Sequence, residues 1–262
     1  MKFDINKFAD RFKSTISWML ENEQGEKIKE DLRILIKNKV ELNKNPDSIK
    51  ALRRIVELIV TKGEHLNKPL NFDSKMESFI QKYGRNFRNS KAKDELIKLV
   101  GEDLKTKIEP IFKYSTIKDF SNHLYNLAKG GKTEVLGKKG RDNYLRDFGY
   151  WDRIPLDIHE KRFIIRTGIY HSCSSKDKSD PLEESHLQDI LTHFCKKYLK
   201  GFIIEIETDE NVERIDLGEC PGIVDIFIWS YCAEGRYQIC IKKPRCEVCN
   251  FKEVCLYAII NF

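Results

Sequence analysis

Apolar residues recur at intervals of three and four along most of this chain, the period of a helix with one buried face. Phe3, Ile5, Phe8, Phe12 and Ile16 form such a stripe in MKFDINKFADRFKSTISWML; Leu32, Ile34, Leu35 and Ile36 form a second, and Ala51, Leu52, Ile55, Leu58 and Ile59 a third. Ser48 stands ahead of the third as an N-cap. The pattern predicts further helices near 75–84, 92–106, 116–128, 140–148, 158–168, 184–199 and 222–233. The last opens with Pro221, and proline suits a first helical turn because its missing N–H has no intrahelical partner to lose. One segment, Phe202–Glu207 (FIIEIE), reads as a strand and alternates poorly. One strand cannot make a sheet, so the fold is predicted to be mainly α. Asn67–Ser74 and Ser172–Pro181 read as loops, and no internal repeat is seen.

Four cysteines near the end of the sequence add chemistry to this pattern. Cys240, Cys246, Cys249 and Cys255 follow the spacing C-x5-C-x2-C-x5-C. Four thiolates so close together point to a metal site. Short consecutive gaps let one loop wrap an iron-sulfur cubane, here a 4Fe-4S cluster, from several sides, whereas a structural zinc ion, the alternative, usually takes two C-x2-C pairs on a longer arm. The loop between the ligands carries Lys242, Lys243 and Arg245, with Pro244 stiffening it. Pinned at both ends, it would hold a basic finger outward to phosphates; a solvated charged loop is the other reading. Cys173, Cys195, Cys220 and Cys232 read as buried thiols.

Composition narrows the setting. The chain has 262 residues, enough for one large domain or two small ones, and eight cysteines in all. Its N-terminal segment is amphipathic, not a charged region followed by an apolar one, and nowhere do eighteen apolar residues run together. These features predict a soluble, cytoplasmic protein with no membrane partner, whose cysteines are thiols or ligands. The net charge of +6 matters through clustering: Lys129–Arg141 (KGGKTEVLGKKGR) holds five basic residues against one acid. Its four glycines let backbone amides approach an anion.

Val135–Asp157, VLGKKGRDNYLRDFGYWDRIPLD, places a lysine-rich turn ahead of a helix, a second turn at Gly149, and an aspartate eighteen residues after Lys139. With the cysteine loop, this segment resembles the helix-hairpin-helix DNA glycosylase superfamily, and the cysteine end is similar to that of endonuclease III. Matched residue by residue, Gly137 takes the place of the second hairpin glycine, Lys139 that of the catalytic lysine and Asp157 that of the catalytic aspartate. Val224 and Asp225 fall where the family has the helix leading to its cluster. Val135 stands where the first hairpin glycine belongs, and Arg141 where a small apolar residue is usual. The segment around LRDFG is also similar to the archaeal 8-oxoguanine glycosylases, which lack the cluster.

The resemblance implies two interleaved helical lobes: a barrel over 41–154 with the hairpin, and a cluster lobe over 155–262 joined by the helices of 1–40. It implies a monomeric DNA glycosylase and AP lyase of base excision repair, working at the nucleoid on double-stranded DNA with a damaged, oxidised base. A monofunctional glycosylase for uracil or alkylated bases is the alternative, and a non-catalytic iron-sulfur DNA-binding protein a third. DNA contacts fall to Gly137, Lys138, Arg141, Lys242, Lys243 and Arg245. The chemistry explains the residue types. The nucleotide must be extruded before its glycosidic bond is reached, and a lysine attacks the sugar only as the neutral amine. An ionised aspartate then stabilises oxocarbenium-like charge. Lys138 is the rival nucleophile, since nineteen residues to the aspartate would serve equally. Asp157 also reads as the N-cap of IHEKRFIIRTG, His159 as a support for its loop, and Tyr150 and Trp151 as packing aromatics.

Overall fold

The computed structural model describes residues 3–61, 71–127, 133, 135–174 and 183–261. Among them are thirteen α-helices and one two-stranded sheet, a mainly α fold as the periodicity predicts. The chain divides into two compact units, one of residues 35–150 and one of residues 1–34 with 151–262. The division falls within α2 (Gly25–Lys44), which follows α1 (Ile5–Glu21).

The 35–150 unit contains α3 (Ile49–Val60), α4 (Phe72–Tyr83), α5 (Ser90–Val100), α6 (Lys105–Ile108), α7 (Ile117–Asn126) and α8 (Lys138–Asp147). The Ser48 hydroxyl caps α3 by accepting from the Ala51 amide at 3.4 Å, as expected. Leu52, Ile55, Val56 and Ile59 of α3 then meet Phe120 and Leu124 of α7 and Tyr144 and Leu145 of α8 in one buried cluster. The segment predicted as one helix over 92–106 is divided at Gly101, whose φ of +105° ends α5. A side chain would strain that conformation. Of the loop predicted over 67–74, residues 67–70 lie outside the described residues, and helix begins at Phe72, where Asn71 adopts a left-handed φ and Phe72, Met76 and Phe79 bury one face of α4.

The other unit contains α1, α9 (Ile158–Thr167), α10 (Ile169–Cys173), α11 (Glu184–Phe194), α12 (Pro221–Cys232) and α13 (Leu256–Asn261). The apolar stripe of α1 enters an aromatic core: Phe8 lies 5.2 Å from Phe251, and Phe12 lies edge-on to Phe194 at 5.7 Å. Phe163 of α9 joins it, 5.6 Å from Phe251. Pairs of this kind contribute about 0.5–1.5 kcal/mol each beyond area burial. The strand prediction is corrected by addition. β1 (Ile203–Glu207) pairs antiparallel with β2 (Val212–Asp216), Ile203 opposite Asp216 and Glu207 opposite Val212. Ile204, Ile206 and Ile215 are buried while Ile203 and Val212 face outward, so the alternation of β1 is complete. VERID escaped notice because one inward side chain is too weak a pattern. The loop predicted over 172–181 begins as helix, Ser172 and Cys173 closing α10; residues 175–181 lie outside the described residues.

Candidate active site and cysteine loop

The lysine-rich turn leads directly into α8. Gly137 is its N-cap, in an extended conformation, and the Arg141 amide donates to the Gly137 carbonyl at 2.8 Å in the first helical bond. Ahead of it the Thr133 hydroxyl accepts from the Leu136 amide at 2.7 Å. No side chain caps α8 and no acid occupies its first turn. Lys138 and Lys139 are its first two residues, Lys138 half-buried and Lys139 exposed. The rest of the basic run, Lys129, Gly130, Gly131, Lys132 and Glu134, lies outside the described residues.

Arg141 departs from its predicted place on the DNA-facing surface. It is 1% exposed, with Nε 3.0 Å from Asp142 Oδ1. Residues three and four apart share a helix face, so Arg141 falls in line with Tyr144 and Leu145, both core residues. The predicted second turn is present: Gly149 has φ +102°, and the Tyr150 amide donates back to the Leu145 carbonyl at 3.0 Å. Tyr150 stacks near Tyr125 at 5.0 Å, and its hydroxyl donates to Asn122 Oδ1 at 2.6 Å. Burial pushes that phenol up to about 12. Trp151 is buried, its carbonyl accepting from the Gly222 amide at 2.8 Å.

Asp157 is the N-cap of α9 and completes a capping box. Its Oδ1 accepts from the His159 amide at 2.6 Å, and its own amide donates to Glu160 Oε2 at 2.8 Å. The support expected from His159 thus comes through its backbone; its ring Nδ1 is buried without a hydrogen-bond partner. Lys139 lies in the 35–150 unit and Asp157 in the other.

The four cysteines of the C-terminal loop line one cavity, with Phe163, Arg166 and Tyr231 among its walls. Cys240, Cys246 and Cys255 are buried and Cys249 half-buried, and all four are free thiols. The Arg166 guanidinium, at the C-terminal end of α9, clamps the loop by donating to the Ile241 carbonyl at 2.6 Å and the Lys242 carbonyl at 2.8 Å. It also lies 3.9 Å from Cys240 Sγ, while the Tyr231 hydroxyl donates to Cys249 Sγ at 3.4 Å. A hydrogen bond from Cys232, with Arg166 beside it, holds the Cys240 thiol below the ordinary range. Burial pushes Cys246, Cys249 and Cys255 upward. Lys242, Lys243 and Arg245 are exposed. Among the described residues no three His, Cys, Asp or Glu side chains converge on a single metal ion. Of the other cysteines, Cys195 and Cys232 are buried as expected, but Cys173 and Cys220 only partly.

Over 185 residues the chain is 29% identical to an 8-oxoguanine DNA glycosylase/AP lyase of Sulfurisphaera tokodaii, a match covering 61% of this chain and 87% of that protein. That similarity supports a DNA glycosylase family. No family model matches the chain, and no solved structure matches it. No helix among the described residues is long and apolar enough to cross a membrane.

Two residues at these sites went unremarked in the sequence. Glu160 carried a readable signal, since Asp157-x-x-Glu160 is the spacing of a capping box. Arg166 carried none, because the carbonyls it clamps lie 75 and 76 residues further along the chain.

Proposed function

We propose that this chain is a bifunctional DNA N-glycosylase and AP lyase of base excision repair, with Lys139 as nucleophile and Asp157 as its electrostatic partner. The observation that carries the reading is the similarity to an 8-oxoguanine DNA glycosylase/AP lyase, in a chain that presents an exposed lysine at the uncapped start of α8. The same similarity supports an oxidised base, 8-oxoguanine first, as the substrate. The working setting is the cytoplasm, at the nucleoid, with the protein as a monomer on double-stranded DNA.

The chemistry runs as follows in this reading. The damaged nucleotide is extruded from the stack, and the open amides of α8 with Gly137 and Lys138 hold the neighbouring phosphate. Lys139 Nζ forms a bond to the anomeric carbon as the glycosidic bond breaks and the base departs with the electron pair. The ionised Asp157 carboxylate stabilises the positive charge that develops on the sugar. The adduct opens to an imine, a proton leaves the sugar carbon beside it, and elimination of the 3′ phosphate nicks the strand.

The cysteine loop fits a 4Fe-4S cluster on Cys240, Cys246, Cys249 and Cys255. Four free thiols lining one cavity are the donor set a cubane needs, and a cubane holds its thiolates apart on separate irons where a zinc ion would draw them together. Bound there, the cluster would be structural, holding Lys242, Lys243 and Arg245 outward to the DNA backbone. The test of the activity is borohydride trapping on a panel of duplexes each carrying one lesion. A covalent protein–DNA link with nicking at 8-oxoguanine is expected. Base release without any trapping would replace this reading by the monofunctional one.

A further inference from the structure

Beneath Asp157 lies a group of carboxyls that the reaction above does not use. Glu160, one turn into α9, is 1% exposed, and Asp225, on α12 packed against α9, is 2% exposed. Glu160 Oε2 accepts the Asp157 amide proton at 2.8 Å, and its side chain also meets the Asp157 carboxyl. Its second oxygen, Oε1, is buried with no hydrogen-bond partner. A carboxylate left in that position would keep a charge out of water, unpaired and facing two other acids. Burying an ion in this way costs far more than burying the neutral acid.

We propose that Glu160 is a positioning residue for Asp157, a neutral carboxylic acid whose Oε2 accepts the Asp157 backbone proton and which faces the Asp157 carboxylate uncharged. Asp225 favours that state from α12, because charges on both Glu160 and Asp225 would oppose each other out of water. The arrangement fixes the rotamer of Asp157 and, of the capping pair, leaves the ionised charge on Asp157, the residue the proposed reaction uses. This role rests on the proposed function for its catalytic meaning, though not for its protonation chemistry.

The two protonation states differ in what they do. Burial, with Asp225 next and then Asp157, pushes the Glu160 carboxyl well above the ordinary carboxylate range. Cys232 is the further titratable neighbour that feels its charge. A carboxyl raised by folding lends stability that is complete below its unfolded value and is lost as pH rises toward the folded one. Glutamine cannot ionise and keeps the acceptor for the Asp157 amide.

Thermal unfolding of the full chain should therefore show Glu160→Gln gaining on the wild type as pH rises from about 4.3, the unperturbed glutamate value, toward neutrality. Base release on the lesion duplex should fall roughly ten- to a hundredfold in kcat for Glu160→Ala, through loss of position. Glu160→Gln should restore most of that loss. A stability difference between glutamine and wild type that stays flat with pH would overturn the neutral acid. Alanine releasing base as fast as wild type, or glutamine failing to rescue, would overturn the positioning role. A wild type that releases no base from any lesion would instead strike the proposed function, with the unfolding result still to be read on its own.

Discussion

Two helices of similar length each begin at a candidate catalytic residue, and they begin in opposite ways. At α8 the N-cap is a glycine, no side chain meets the first amides, and the opening residues are Lys138 and Lys139. At α9 the N-cap is Asp157, Glu160 closes the capping box, and Asp225 adds a third acid from α12. The positive end of a helix attracts an anion from outside when nothing inside supplies one. In α9 the protein supplies its own; in α8 it supplies none, and the proposed occupant is a DNA phosphate. One helix start is thus left open and the other already holds a carboxylate.

The largest expected effect breaks the pair at α8. Lys139→Gln should abolish both borohydride trapping and strand nicking while leaving duplex binding in place, because the imine has no other donor. Trapping that survives in this variant but disappears with Lys138→Gln would move the nucleophile by one residue. Next comes a pair of changes at α9. Asparagine caps a helix as well as aspartate, so Asp157→Asn should leave thermal stability nearly unchanged yet slow base release about a hundred- to a thousandfold. Asp157→Ala should show the same kinetic loss and a further cost of about 1 kcal/mol in stability, read by denaturant melts.

Smaller effects sharpen the contrast. Protein purified without oxygen should be yellow-brown with about four irons per chain, and Arg166→Ala should retain less iron because the loop carbonyls lose their clamp. Colourless, zinc-bearing protein would remove the cluster and leave the α8 and α9 chemistry standing. Replacing Lys242, Lys243 and Arg245 by alanine should flatten the salt dependence of binding by roughly one unit for each lost phosphate contact. An unchanged slope would make the finger a solvated loop. Smallest of all, Gly137→Ser should fill the open end of α8 from within. Stability should rise by a few tenths of a kcal/mol, roughly the gain of a side-chain cap over glycine, while duplex affinity falls.

What could be read in advance follows from distance along the chain. The helices that build both cores, the cap of α3, the start of α12 and the turn at Gly149 are local features, written within a few residues of where they act. That the four cysteines come together around one cavity was legible because their spacing is itself short. Arg141 was misplaced because a positive charge in a basic run suggests the surface, whereas its register with Tyr144 and Leu145 directs it inward. The partner of β1 was missed because VERID buries a single isoleucine. Arg166 and Asp225 could not be assigned their roles from sequence, since both act on residues some seventy positions away.

That same difference in distance orders the making of α9. Its first turn is tied by contacts two and three residues apart, Asp157 with His159 and with Glu160, which a growing chain can form as soon as the segment exists. Its last turn is tied to carbonyls of Ile241 and Lys242, a loop closure that must wait until the chain has been synthesised past Lys242. The end that bears Asp157 can therefore form as soon as its own segment has been synthesised, and the end that meets the cysteine loop only later.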